Sequence, residues 1–282
     1  MATASAAPAP LRAPAGKYPI NDVVRGVAYS KMSVEEAFTK IYRTDAWGKG
    51  SGAGSVPVHC LKWIEFVRRF VREHKVESVV DLGCGDWQFS PYIYHDLAVK
   101  YTGYDVVKHV IEDNRKNWGD HGYVFEHLEF STLVPQIRDA ELYIIKDVLQ
   151  HWSSARVTAF LRQLLGTKSR LRHVLLCNCA EPEDWPEDDI CDGGWRPLFA
   201  SRHPLNQFSP EVLLHFPSLP NKKEVCVLRP DLQPVPKALR SAHSCGGAAA
   251  RRCGQHRPAL GCYETSHRRH AWCRGRRKCE AR

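Results

Sequence analysis

The chain has 282 residues, 43% of them hydrophobic, and a formal net charge of +9 at pH 7. That apolar content supports one large core or two small ones, and the lack of any run of about 18 apolar residues excludes a helical membrane span. The surplus charge is confined to one end: residues 231–282 carry 12 Lys and Arg against 3 Asp and Glu, while residues 1–230 carry 28 of each sign. The body of the chain thus has no electrostatic reason to prefer a polyanion.

Residues 1–16 are mostly Ala and Pro, with one arginine and no acid. Such a composition predicts a disordered leader, drawn here as residues 1–30. The missing acids leave a transit peptide, and so an organelle, as the alternative to a cytoplasmic location; there is no secretory apolar segment. Ser33-Val34-Glu35-Glu36 has the form of a capping box, and Ala37, Phe38 and Ile41 follow at helical spacing, which predicts a helix over 33–43. Next, Trp47 to Ser55 is a loop with glycine at every second position from Gly48 to Gly54. It can be a plain linker or a flap that closes over a ligand, with Trp47 offering an aromatic face.

From Val58 to His74, Trp63, Ile64, Val67, Phe70 and Val71 form one stripe and Lys62, Arg68, Arg69 and Arg72 lie off it. This pattern predicts an amphipathic helix packed on a sheet, its basic side solvated. Val79-Val80-Asp81-Leu82-Gly83-Cys84-Gly85 then reads as a buried strand running into a glycine turn. Glycine suits that turn because the backbone must reverse sharply and lie close against a neighbour. Ser90-Pro91 predicts an N-cap and a short helix to Leu97. A second strand, Val99 to Asp105, ends in a carboxylate about 20 residues after Gly85, a spacing that suits hydrogen bonds to both hydroxyls of a ribose. A helix over 107–117, a strand over 123–128, a strand over 141–147, a helix over 154–166 and a strand over 173–178 complete an alternation that predicts a parallel sheet with helices on both faces.

In such a sheet, ligands bind at the carboxyl ends of the strands. Asp81, Asp105, Glu129 and Asp147 all fall there, so four carboxylates are expected to share one rim. The third glycine of a dinucleotide fingerprint is absent, its place taken by Gln88, and an acid just before the glycines suits a cation better than a pyrophosphate. Beyond Asn178 the regularity changes. Glu181 to Asp192 holds seven acidic residues, Gly193-Gly194-Trp195-Arg196-Pro197 follows, and the segments 211–216 and 224–229 can supply the last strands.

At these residues the chain resembles the class I S-adenosylmethionine-dependent methyltransferases, and the resemblance covers about residues 45–230. Three segments narrow it to a group of small members found mostly in bacteria, with relatives in unicellular eukaryotes: Trp47-Gly48 with its glycine loop, Lys146-Asp147-Val148-Leu149-Gln150-His151-Trp152, and Gly193 to Pro197. The resemblance implies a Rossmann-like α/β fold, a seven-stranded sheet, mostly parallel with an antiparallel last strand, in a domain spanning 31–230. It also implies S-adenosylmethionine as cofactor, and the balanced charge of the domain points to a small-molecule O or N acceptor; no metal is expected. Gly83 and Gly85 would line the methionine and ribose, Asp105 would take the ribose hydroxyls, Glu129 would lie near the adenine, and the backbone at Lys146 and Asp147 would face the methionyl amine. Asp81 and Trp47 complete the expected cofactor set. His151 is the expected base, with Asp147 beside it; its alternative is a histidine that packs its helix. Arg196 and Trp195 would meet the acceptor, or Arg196 would pair with the nearby acids.

Six cysteines precede residue 230, and Cys84, Cys177 and Cys226 fall in apolar stretches, reading as core residues of a reducing compartment. Residues 231–282 form a basic tail rich in Cys, His and Arg and expected to be disordered; a zinc module is its alternative. Two other functions remain open from sequence: a nucleotide-dependent oxidoreductase on a related fold, and a non-catalytic nucleic-acid binder using the tail with Tyr263 and Trp272 as stacking groups.

Overall fold

A computed structural model describes residues 25–186, 188–219 and 221–232. The expectations for most of the leader and for the tail, including its cysteines, Tyr263 and Trp272, lie outside the described residues.

Helix α1 (Val34–Arg43) starts where the capping box places it. The Ser33 hydroxyl accepts from the Glu36 N–H, and Glu36 accepts from the Ser33 N–H at 2.8 Å. Helix α2 (Leu61–Glu73) buries the expected stripe and adds Phe66 to it. The strands are β1 (Ser78–Leu82), β2 (Lys100–Asp105), β3 (Val124–His127), β4 (Leu142–Lys146), β5 (His173–Cys179), β6 (Glu211–Phe216) and β7 (Lys223–Leu228), interleaved with α3 (Pro91–Tyr94), α4 (Lys108–Trp118) and α5 (Ser154–Thr167). They form one sheet in the order β3-β2-β1-β4-β5-β7-β6. The first five run parallel, while β7 pairs antiparallel with both β5 and β6. The winding therefore reverses at β1, flanked by β2 on one side and β4 on the other.

Residues alternate across this sheet with period two, as strand geometry requires. Val80, Leu82, Tyr143, Ile145, Val174 and Leu176 join the core beneath α1 and α5. Val79, Leu142, Ile144, Leu175 and Cys177 join the core beneath α2 and α3. Both faces are covered, which is why these strands read as near-continuous apolar runs.

Two boundaries differ from expectation. Helix α3 ends at Tyr94 rather than Leu97, and Ser90 is itself helical (φ −62°, ψ −32°) and makes no cap bond. Its hydroxyl is buried without a partner, and Asp96 instead accepts from Arg68 of α2 at 2.6 Å. Residues 25–30, placed in the leader by composition, fold onto the acidic segment. Arg25 pairs with Asp188 at 2.8 Å, its carbonyl accepts from the Cys191 N–H, and a short turn follows at Val27–Tyr29.

Candidate active site

An open cleft of about 860 Å³, its solvent mouth included, lies at the carboxyl ends of the strands across the reversal point. Asp81, Asp105, Glu129 and Asp147 all line it, with Gly83, Gly85, Lys146 and Trp47. Eight of the residues singled out by sequence thus meet in one cavity, whose remaining wall is largely aromatic: Phe38, Tyr42, Trp63, Phe89, Tyr94, Phe130 and Trp152.

The glycine turn is held by β2. The N–H groups of Gly83 and Cys84 both donate to the Tyr104 carbonyl, at 2.8 and 3.0 Å. Gly85 N–H donates to Asp105 Oδ2 at 3.0 Å, and Val107 N–H to Oδ1 at 2.9 Å. Each Asp105 oxygen thus keeps an acceptor position for a ligand. Burial raises the Asp105 carboxyl above its usual range, and the backbone donors oppose the rise. Asp81 has a thinner shell: Tyr101 donates to it at 2.9 Å, and the Trp87 indole donates to Tyr101 at 2.8 Å. Burial pushes its carboxyl up to about 7. Glu129 accepts from Ser131 and Thr132 and lies 4.0 Å from Arg156.

The glycine loop forms a strap over this turn. Ser51 Oγ accepts from the Asp86 N–H at 2.9 Å and shares a 2.8 Å hydrogen bond with the Tyr42 hydroxyl. Gly85 has φ +57°, and a Cβ there would stand 2.4 Å from Ser51 Oγ. Glycine at this position therefore serves the strap as well as the turn. Farther along, Lys146 Nζ donates to the Gly54 carbonyl at 2.9 Å.

Beyond β1 the cleft is lined by an ion pair, Lys146 with Asp147, while Lys223 does not line it. Lys146 Nζ lies 2.6 Å from Asp147 Oδ2, and Lys223 Nζ lies 2.5 Å from Oδ1. Burial alone would raise the Asp147 carboxyl, yet these two ammonium groups hold it well below the usual carboxylate range. Asp147 has φ +57°, in the left-handed region that aspartate adopts more readily than most non-glycine residues.

The three residues expected to act on the acceptor lie elsewhere. His151 is buried behind Trp47, whose indole packs on its ring at 4.6 Å; Nδ1 donates to the Gly194 carbonyl at 2.8 Å. Burial pushes its imidazole down to about 4. Arg196 is buried against Asp189 (2.9 Å), Ser154 Oγ (3.0 Å) and the Trp152 carbonyl (3.1 Å). This is the pairing with nearby acids that the sequence offered as its alternative role. Trp195 meets Trp185 edge-on at 5.4 Å. None of the three lines the cleft. Lys223 was missed by sequence reasoning: it opens an apolar run that reads only as a strand, and its partner lies 76 residues away.

Strand order, the reversal at β1 and the antiparallel β7 make this the class I methyltransferase fold. Solved structures with which the chain aligns include magnesium protoporphyrin IX methyltransferase of Synechocystis PCC 6803 with bound S-adenosylhomocysteine (TM-score 0.47, 13% identity, 73% of this chain and 98% of that one). Others are human N-acetylserotonin methyltransferase with S-adenosylmethionine (0.46, 15%, 70% and 60%) and the methyltransferase domain of bacterial CtHen1 (0.46, 14%, 61% and 99%). No family model and no curated protein matches the sequence.

Proposed function

We propose that this chain is an S-adenosylmethionine-dependent methyltransferase acting on a small molecule. The observation that carries the reading is Asp105, buried at the end of β2 with both oxygens aimed by backbone N–H groups beside the Gly83–Gly85 turn. A carboxylate fixed in this way suits the paired hydroxyls of a ribose. The residues present fit the cofactor, because Asp81, Asp105 and Glu129 make one half of the cleft acidic, as a cationic ligand requires. When bound, that group supplies an electrophilic methyl carried on a sulfonium.

The chain's own residues then have modest tasks. Asp105 and the glycine turn hold the nucleoside, Asp81 and the Lys146-Asp147 backbone face the aminocarboxyl end, and Trp47, Tyr42 and the strap exclude water. In-line transfer asks chiefly for alignment and a dry site. His151, with a low pKa and its ring behind Trp47, is a weak base in a remote position. Its role in this reading is to support the indole. Calorimetric titration with S-adenosylhomocysteine tests the proposal, and no heat at millimolar ligand would sink it.

A further inference from the structure

The cleft has a wall from each of the two cores. Val34, Phe38 and Trp152 belong to the core beneath α1 and α5, and Trp63, Ile93, Tyr94 and Ile144 to the core beneath α2 and α3. Each of the last four is at most 2% exposed, so on this side the cleft reaches deep into the protein. Two charged residues of opposite sign line the same side. Asp81 shares its sheet face with Val79, two residues earlier on β1, and Lys146 shares its face with Ile144 on β4; both faces look toward α2 and α3.

Tyr94 differs from the rest of this wall. Its ring is fixed by Tyr101, 4.7 Å away, and lies nearly parallel to Trp87 at 6.5 Å. The polar atoms of both neighbours are used: Trp87 Nε1 donates to the Tyr101 hydroxyl, which donates to Asp81 Oδ2. The Tyr94 hydroxyl is buried as deeply and has no hydrogen-bond partner among the described residues. Ser90 Oγ, one turn earlier, is also without a partner, but Ser90 does not line the cleft and Tyr94 does. A buried hydroxyl without a partner costs free energy that phenylalanine at this position would avoid. Burial raises the phenol well above its ordinary range and the nearby Asp81 charge raises it further, so the hydroxyl keeps its proton and can donate it.

The group that satisfies this wall is defined by its chemistry. Asp81 Oδ2 accepts from Tyr101, and Oδ1 makes no hydrogen bond among the described residues, so the group must bring a donor to Asp81. It must also bring an acceptor to Tyr94. Asp81 and Lys146 put one charge of each sign on the wall, which suits a group that is itself charge-balanced. The zwitterionic end of an α-amino acid meets all three conditions. We propose that Tyr94 is a cofactor-binding residue, whose hydroxyl donates to the carboxylate of the cofactor's aminocarboxyl end while Asp81 takes its ammonium. This rests on the methyltransferase reading and deepens it by a residue on α3, outside the glycine turn, whose sequence reads only as a short helix after Ser90-Pro91.

Calorimetry on the full-length protein tests this with three ligands: S-adenosylhomocysteine, its decarboxylated analogue, which keeps the ammonium, and 5′-methylthioadenosine, which lacks the whole aminocarboxyl end. The wild type is expected to prefer S-adenosylhomocysteine to the decarboxylated analogue by about tenfold or more. Tyr94→Phe should weaken S-adenosylhomocysteine by roughly five- to thirtyfold and leave the other two within about twofold, because only the hydroxyl–carboxylate bond is lost. Without ligand, the variant should melt no lower than the wild type, since the deleted hydroxyl has no partner in the fold. A merely structural tyrosine would give the reverse, a lower melting temperature with the preference intact, and that result overturns the proposal. So does equal weakening of all three ligands, or an equal loss for S-adenosylhomocysteine and its decarboxylated analogue, which would move the hydroxyl to the ammonium. If Tyr94→Phe fails to fold, the wild type alone still decides: equal affinity for S-adenosylhomocysteine and the decarboxylated analogue overturns the proposal. Binding of none of the three by the wild type removes the methyltransferase reading itself, whereas S-adenosylhomocysteine bound equally by wild type and Tyr94→Phe removes only the role of Tyr94.

Discussion

Asp81 and Asp105 are both buried on the rim, but their charges are supported differently, and different experiments separate them. Asp105 accepts one backbone N–H at each oxygen, so an asparagine in its place gives up one of these two bonds together with the charge. Asp105→Asn is expected to weaken S-adenosylhomocysteine by about tenfold or more, since hydrogen bonds to a charged group contribute about 1.5 to 3 kcal/mol each. Calorimetry reads this directly; an unchanged Kd would remove Asp105 from the binding site. Asp81 has one side-chain donor and a carboxyl pushed up to about 7 by burial. A ligand ammonium favours its ionised form, so binding should release a proton and S-adenosylhomocysteine affinity should rise from pH 6 to pH 8. Asp81→Asn is expected to flatten that rise. The stability effect has the opposite sense. Folded Asp81 retains its proton above the unfolded pKa, so this group makes the fold less stable as pH rises from about 4 to about 7. His151 acts the other way: its folded pKa is depressed to about 4, so its contribution is present above the unfolded value near 6.5 and is lost as pH falls toward 4. A melting curve against pH should show that loss reduced in His151→Gln.

At the scale of elements, the strands and helices were legible because burial on both faces writes itself into the sequence as apolar runs of strand length between amphipathic helices. The capping box at Ser33 and Glu36 fixed the start of α1 for a similarly local reason. Carboxylates at strand ends were also readable, because a strand's end is a local feature. What the sequence did not reveal depends on contacts made across the fold. His151 reads as an accessible base one turn past β4, and only packing with Trp47 and Gly194 turns it inward. Lys223 acquires meaning only when β7 inserts beside β5. The strap is the element whose two readings, linker or flap, the structure separates by contact: Ser51 ties it to Asp86 and Tyr42, and Gly54 ties it to Lys146. Ser51→Ala removes the two Oγ bonds of the first tie, to the Asp86 N–H and the Tyr42 hydroxyl, and leaves the Ser51 N–H donating to Asp86 Oδ2; each neutral bond contributes about 1 kcal/mol. Amides of residues 48–54 should then exchange faster with solvent deuterium by roughly five- to tenfold, with little change at β1. Equal exchange in both proteins would mean that the strap is held by other contacts.

Across the whole molecule, charge and chemistry occupy different parts of the chain. Among the described residues, those lining the cleft fall between Val34 and Trp152, and the sheet that positions them is closed by β7 at Leu228. The positive surplus of the sequence begins only after residue 230. If the site is built as described, nothing beyond Leu232 is needed to form it. A chain ending at Leu232 is therefore expected to bind S-adenosylhomocysteine with a Kd within about twofold of the full-length protein, a difference of less than 0.5 kcal/mol. Its affinity for nucleic acid should behave differently. The body carries equal numbers of each sign, so any retention of the full-length protein on immobilised DNA should be lost on truncation and should fall steeply with salt, as counterion release requires. If truncation instead abolished S-adenosylhomocysteine binding while the melting transition remained cooperative, residues beyond 232 would have to reach the cleft, and the strap would not be its only cover. If DNA retention persisted in the truncated chain, the balanced charge of the body would conceal a local basic surface, and the class of acceptor would have to be reconsidered from that surface.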